Sequence, residues 1–315
     1  MVALAATAIT KMKVRPAFII LSALGILSLP LAAEDPRNYS YQSSARPQSA
    51  DEVEDLGEIA ASPEGEKAAA NGKEVAPPAA VKSKFRFNVN ARGEFTSNAK
   101  LHGDHSSGDV IFLPTFEAGY KTPLGKYFTF DLAARVESAL YADNNDRGFI
   151  GYGAVATMDF RPRPKLPRLY VSAEPYRYDG FDTGDLITQA VGATVGTDWG
   201  VPFNNGRSLA FAGYSFSHYF ADPAINSRDS HRIVLGVAHQ FRSNLVGQVY
   251  YSWQYNDFTD YSRHDSRNFA GANLIHQFSD RVFGSVTATF VDSDSSVEAA
   301  SYQSVTGSLG VTIAF

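Results

Sequence analysis

The charged residues between Phe85 and Tyr176 keep to one parity within each segment. Arg86, Arg92 and Glu94 share theirs with Asn88 and Asn90. Glu117 pairs in this sense with Lys121, Asp131 with Arg135 and Glu137, Asp159 with Thr157, and Arg168 with Glu174. Charges of both signs two residues apart make and break no bonds. They can hold one another across strands, or attract and reject ions that pass between them. Two other groupings carry chemistry-bearing side chains. His264-Asp265-Ser266, with Asn268 just beyond, holds the residue types of a hydrolytic triad, in an Asp-rich stretch that reads as an exposed loop. His102 and His105, with Asp104 and Asp109, have the donors for a weak metal site, although a solvated loop accounts for them more simply. There is no nucleotide-binding glycine pattern, no paired-cysteine motif and no HExxH. No catalytic residue, metal site or cofactor is therefore assigned.

The elements that position these charges are strands. Phe85, Phe87, Val89, Ala91, Gly93 and Phe95 alternate with the Arg86–Glu94 set. The second set is too polar for a protein core and the first is uninterrupted, which inverts a water-soluble barrel: hydrocarbon outside, water inside. Val110, Phe112, Pro114, Phe116, Ala118 and Tyr120 oppose Glu117 and Lys121 in the same way. Phe128, Phe130, Leu132, Ala134, Val136 and Leu140 oppose Asp131, Arg135 and Glu137. Ile150 to Phe160 and Leu169 to Pro175 continue the pattern against Asp159 and against Arg168 and Glu174. Arg177 falls on the outward face, at a strand end from which a long side chain can snorkel. Less charged strands follow at about Leu186–Trp199, Leu209–Phe220, Arg232–Phe241, Leu245–Tyr255, Asn268–Phe278, Arg281–Val291 and Tyr302–Phe315. In the seventh, Leu209, Phe211 and Gly213 compete with Ala210, Ala212, Tyr214 and Phe216 for the outward face. The expected fold is all-β, an antiparallel up-and-down transmembrane β-barrel of about twelve strands, with ten or fourteen also compatible.

If the first hairpin turns between Asn98 and Asp109, Arg92 lies nearly opposite Glu117. The next hairpin then brings Asp131 near Glu117, and the 161–167 turn brings Asp159 near Arg168. One wall becomes a ladder of compensating charges. The other, from Gln248, Tyr250, Ser252, Gln254, Asn273, Thr287, Thr289, Thr306 and Ser308, is neutral and hydroxyl-rich. Such a ladder either flanks a solute path or fills a narrow interior. Barrel size does not choose, since about eight strands leave a filled interior and about sixteen an aqueous channel.

Composition agrees with a barrel and restricts the alternatives. The 315 residues include 22 Phe, 16 Tyr and no Cys, and the net charge is −5. The aromatics suit interfacial belts, and the fold cannot rest on disulfides. The acidic balance speaks against general nucleic-acid binding. After the N-terminus no run approaches the roughly 18 apolar residues of a spanning helix. Residues 1–33 read as a signal peptide, with Lys11, Lys13 and Arg15 ahead of an apolar core and Leu31-Ala32-Ala33 as its cleavage site; Met12 is a candidate start. Residues 34–82, rich in Ala, Pro, Glu and Ser, read as a flexible linker, and 83–315 as the barrel. Val237-Ala238-His239-Gln240-Phe241 and Leu274-Ile275-His276-Gln277-Phe278 repeat one hairpin, with both His rings in an interfacial girdle. Connections alternate between short or basic turns and longer Asp-rich loops.

The last strand ends Leu309-Gly310-Val311-Thr312-Ile313-Ala314-Phe315. Its alternation and closing Phe resemble the terminal strand of Gram-negative outer-membrane β-barrels, and Phe85 to Phe315 as a whole resembles their porin-like members. The resemblance implies an outer-membrane location with both termini in the periplasm, and contact with lipid and lipopolysaccharide. It also implies recognition of Phe315 by the barrel-assembly machinery. By the same resemblance the function is passive diffusion of small hydrophilic solutes, lined by Arg86, Arg92, Glu94, Glu117, Asp131, Arg135, Glu137, Asp159, Arg168 and Glu174. A closed structural or surface-interaction barrel acting through its acidic loops is the alternative. An outer-membrane hydrolase through His264 and Ser266 is a third reading, since outer-membrane phospholipases carry a His and Ser two apart, but their surrounding motif is not matched. The sequence leaves the solute, the openness of the lumen and the oligomeric state undetermined.

Overall fold

A computed structural model describes residues 84–99, 108–163 and 166–315. The expected signal peptide (1–33) and linker (34–82), and the candidate ligands His102, Asp104 and His105, lie outside the described residues. Within them the chain forms twelve antiparallel strands: β1 (Lys84–Thr96), β2 (Asp109–Pro123), β3 (Phe128–Tyr141), β4 (Phe149–Phe160), β5 (Arg168–Gly180), β6 (Leu186–Phe203), β7 (Ser208–Asp222), β8 (Arg228–Arg242), β9 (Leu245–Phe258), β10 (His264–Gln277), β11 (Val282–Ser295) and β12 (Tyr302–Ala314). Each pairs with its neighbours in sequence, and β1 also pairs with β12, so the sheet closes on itself. The register of the seam runs from Asn88 opposite Ala314 to Thr96 opposite Thr306. Phe315 N–H adds a final bond to the Phe87 carbonyl at 2.9 Å.

Alternation drives this closure. Along β12, Tyr302, Ser304, Thr306, Ser308 and Thr312 are buried while Val305, Leu309, Val311 and Ile313 are exposed. Many large side chains that a soluble protein would hide are exposed: Phe85 is 74% exposed, and Leu309 and Phe315 are each 66% exposed. The most buried include Thr96, Ser252, Asn256 and Asp265, all at 0%. An apolar exterior of this extent is stable only in hydrocarbon, where every backbone polar group must be paired, and a closed ladder pairs them all. No helix among the described residues is long and apolar enough to cross a membrane.

The ambiguous seventh strand settles with Leu209 and Phe211 inward and Tyr214 outward. Phe211 opposes Gly236 on β8, and its ring covers the place a Cβ would take there. Only a glycine lets that ring lie flat on the wall, and this fixes the parity. The hairpin echo extends in the same way. His239 and Phe241 meet edge-on, as do His276 and Phe278, and the two Phe rings lie against Gly247 and Gly284 on the following strands.

Several expected boundaries are too short. β6 continues to Phe203, β8 begins at Arg228, β10 at His264, and β11 continues to Ser295. Much of the acidic sequence expected in loops is therefore strand. Ladder hydrogen bonds do not depend on side-chain polarity, so pairing continues past the roughly 9–11 residues that cross the hydrocarbon. Arg177 also differs from expectation. Its outward side chain does not snorkel alone: Nε donates to both carboxylate oxygens of Asp179, two residues on, at 2.9 Å. At the rim carrying the barrel's two ends, connections 124–127, 204–207, 243–244 and 278–281 are short, with 161–167 the longer exception. At the far rim, 97–108, 142–148 and 296–301 are longer, while 181–185, 223–227 and 259–263 are only moderate.

A charge on the outer face tests this directly. Leu309→Arg should destabilise the barrel by about 2–4 kcal/mol near the bilayer midplane, read as urea unfolding in vesicles. Ser308→Ala, one residue away and inward, should stay close to wild type; equal effects at both positions would contradict the assigned faces.

Candidate functional site in the barrel interior

All ten residues expected to face the interior do so, and the registers decide which of them meet. β1 and β2 pair with Asn88 opposite Glu117 and Arg92 opposite Leu113. Arg92 therefore does not meet Glu117, because the hairpin turn is offset from the one expected. Arg86 takes Glu117 instead, Nε to Oε1 at 3.4 Å, and donates through both Nη atoms to Asp131 at 2.9 Å. Glu117 and Asp131 share this guanidinium but do not face each other as expected, because β2 and β3 pair with Glu117 opposite Arg135 and Lys121 opposite Asp131. Arg92 pairs with Glu94 on its own strand at 3.4 Å, and Arg135 with Glu137 at 3.2 Å. Glu137 also accepts from the Tyr178 hydroxyl at 2.8 Å.

At the end of the barrel nearer the chain termini, Arg168 lies 3.2 Å from Asp159, as the turn predicts, and 2.6 Å from Asp198 on β6. Its Nε donates to Asp198 at 2.9 Å. Lys121 and Asp131 add their charges to those around Asp159, while Glu174 and Glu117 join Glu137 around Arg135. The wall from β1 to β6 is thus a continuous run of alternating signs. Pairing of this kind is required of charges taken out of bulk water, because an unpaired one costs several kcal/mol.

The opposite wall departs from the neutral surface expected of it. Gln248, Tyr250, Ser252, Gln254, Asn273, Thr287, Thr289, Thr306 and Ser308 do face inward, but Arg228, Arg232, Asp265 and Arg267 stand among them. Asp265 is held by Arg263 at 2.7 Å, with Arg267 at 3.7 Å. Arg228 lies over the Tyr219 ring at 4.3 Å. Three of these four were missed because Arg228, Asp265 and Arg267 fall outside the expected strand boundaries. Asp198 and Arg232 were inside theirs; their parity, opposite to Val195 and Leu235, was the available signal.

The remaining candidates do not assemble. Asp265 points inward, whereas His264 and Ser266 lie on the outer side, in β10 rather than in a loop. Ser266 Oγ accepts from Trp253 Nε1 at 3.0 Å. A strand's two-residue period puts consecutive side chains on opposite faces, so the Asp cannot orient the His. Asp109 serves structure: its carboxylate accepts from the backbone N–H groups of Val110, Asp143 and Asn144, and so ties the loop after β3 to the start of β2.

The interior also contains apolar material. Toward the far rim Ile111, Leu113, Tyr141, Phe149, Tyr176, Tyr178 and Tyr219 form one buried cluster inside the cylinder. Several of its rings lie along the wall rather than across the lumen. Tyr178 covers Gly151 and Tyr219 covers Gly192, as Tyr170 covers Gly196 and Tyr250 covers Gly271 elsewhere.

Arg168 supplies the sharpest test of the ladder. Arg168→Met leaves Asp159 and Asp198 facing each other and should cost about 3–5 kcal/mol in unfolding experiments. Arg177→Ala, which breaks an exposed pair, should barely shift the transition. A silent Arg168→Met would mean that water rather than the guanidinium compensates these carboxylates.

Comparison with known proteins follows the architecture. A family model described as "Putative beta-barrel porin 2" matches residues 217–315, which comprise the end of β7 and all of β8 to β12. No curated protein matches the chain. Among solved structures, the chain is similar to the COG4313 outer membrane channel from Pseudomonas putida F1, at 12% identity and a TM-score of 0.49, covering 77% of this chain and 100% of that one. It is also similar to the β domain of the Bordetella autotransporter BrkA, at 10% identity and 0.49, covering 75% and 100%. The translocator domain of autotransporter NalP from Neisseria meningitidis matches at 12% identity and 0.43, covering 78% and 92%. With its closed sheet and apolar exterior the fold is that of a transmembrane β-barrel, and its last strands are similar to the porin family model.

Proposed function

We propose that this barrel is an outer-membrane channel through which small hydrophilic solutes diffuse passively. The observation that carries this reading is the charged wall of β1 to β6. It runs along a closed cylinder, and Arg86, Glu117, Arg135 and Asp198 keep 15–18% of their side-chain surface accessible. Buried structural pairs need no such access, whereas ions moving past them do. The path is lined by Arg86, Arg92, Glu94, Glu117, Asp131, Arg135, Glu137, Asp159, Arg168 and Glu174. The rings lying flat on inward glycines add to this, since each leaves free the space that a ring projecting across the lumen would fill. In this reading the short turns and both termini face the periplasm, and the longer connections face outward. Lipid and lipopolysaccharide surround the apolar exterior, and Phe315 is the residue the assembly machinery engages.

One observation favours a closed, structural barrel instead: the buried cluster of Ile111, Leu113, Tyr141, Phe149, Tyr176, Tyr178 and Tyr219 inside the far half. Single-channel recording in a planar bilayer decides between the two. The channel reading expects discrete conductance steps, and silence at all voltages contradicts it. Glu117→Ala should shift ion selectivity if the ladder lines the path. Gly271→Leu should lower the conductance, because its side chain displaces the Tyr250 ring into the lumen. Unchanged conductance in a folded Gly271→Leu barrel would place the path elsewhere.

A further inference from the structure

Arg232 differs from most of the other inward guanidinium groups, and from Arg228, which lies over the Tyr219 ring and donates to the Asn226 carbonyl. Arg86, Arg92, Arg135, Arg168 and Arg267 each have a carboxylate within ion-pair distance. Arg232 is 8% exposed, and its Nε donates to Ser252 Oγ at 3.0 Å. Among the described residues no carboxylate pairs with it; the ionisable groups in its electrostatic reach are the phenols of Tyr250, Tyr170 and Tyr219. Tyr250 is in turn within reach of Arg92, on the other side of the β12 seam. Side chains from β1, β5, β7, β8 and β9 are therefore coupled electrostatically in this part of the lumen.

The geometry of this region is built rather than incidental. Arg232 lies opposite Gln254 on β9 and Ser215 on β7, both uncharged. The Tyr170, Tyr219 and Tyr250 rings are seated on Gly196, Gly192 and Gly271, which holds the three phenols along the wall within electrostatic reach of the guanidinium. With Nε committed to Ser252, the outer edge of the fork, its two Nη atoms, remains for a ligand. A buried cation without a protein counter-charge is expensive, and one kept inside a membrane-spanning structure marks an ion pathway. The fork matches a carboxylate in two parallel hydrogen bonds, and phenol hydroxyls donate well to the same anion.

We propose that Arg232, with Tyr170, Tyr219 and Tyr250, forms an anion-binding waist that selects small organic carboxylates. Net positive charge here lowers the barrier to anions and raises it to cations, while the paired charges of the β1 to β6 wall cancel. The tyrosine faces favour carboxylates with an apolar or aromatic body. This rests on the channel reading for its route of access, but the binding site itself is a separate claim.

Two measurements on the folded full-length barrel separate them. In a KCl gradient across a planar bilayer, wild type should prefer chloride. Arg232→Gln should reduce that preference about three- to tenfold, as expected for deleting one poorly screened charge, while Arg232→Lys should retain most of it. Calorimetric titration of the detergent-solubilised barrel with sodium benzoate should show binding in wild type and its loss in Arg232→Gln. Conductance whose selectivity is unchanged in Arg232→Gln overturns the waist and leaves the channel. A silent barrel that still binds benzoate through Arg232 overturns the channel and keeps the anion site. Silence without binding removes both.

Discussion

The hydrogen-bonded seam between β1 and β12 is the constraint on which the rest depends. A sheet in hydrocarbon cannot leave an edge, because each unpaired N–H or carbonyl costs several kcal/mol with no water to satisfy it. Twelve strands avoid this only if the first and last meet in register, as Asn88–Ala314 through Thr96–Thr306 do. That register fixes which side chains face lipid. A slip of one residue would turn Leu309 and Val311 inward and Ser308 and Thr312 into the membrane. The closing Phe315 adds its own bond to Phe87 and caps the seam at the rim.

Closure creates an interior in which polar groups must find each other. On β1 to β6 they do so as an ion-pair ladder, where Arg86 joins two carboxylates on two other strands and Arg168 joins two more. On β7 to β11 neutral amides and hydroxyls replace most of the charges, and two of the cations there rest on a ring or a hydroxyl, Arg228 on Tyr219 and Arg232 on Ser252. Inward glycines supply the third device. They let tyrosines lie along the wall, so that a twelve-stranded cylinder carries large aromatic residues inside without each one crossing it. Each device follows from the same problem of packing large polar and aromatic side chains into a cylinder of fixed circumference.

Much of this was legible in the sequence because a barrel strand has a strict period of two. The faces of Phe85–Phe95, Val110–Tyr120 and Val305–Phe315 follow from parity alone, as do those of β3, β4 and β5, and with them the inward parity of the ten expected charges. Pair partners were not legible, since they depend on turn offset: Arg92 meets Glu94, and Glu117 goes to Arg86. The ends of β8, β10 and β11 were hidden because alternation stops being apolar against polar where strands leave the hydrocarbon, although the backbone ladder continues. Arg232 shows a different limit. Its inward parity was readable, but its lack of a carboxylate partner is a property of three neighbouring strands at once.

Along every strand, side chains meet hydrocarbon and the interior of a sealed cylinder in turn. The chain has no native cysteine, so spin labels on Ser308→Cys and Leu309→Cys can be compared directly in lipid vesicles. The label at 309 should collide with dissolved oxygen and be shielded from a polar nickel chelate, and the label at 308 should show no such lipid signature. If both labels reported the same environment, or if 308 reported lipid and 309 water, the barrel assigned here would be wrong.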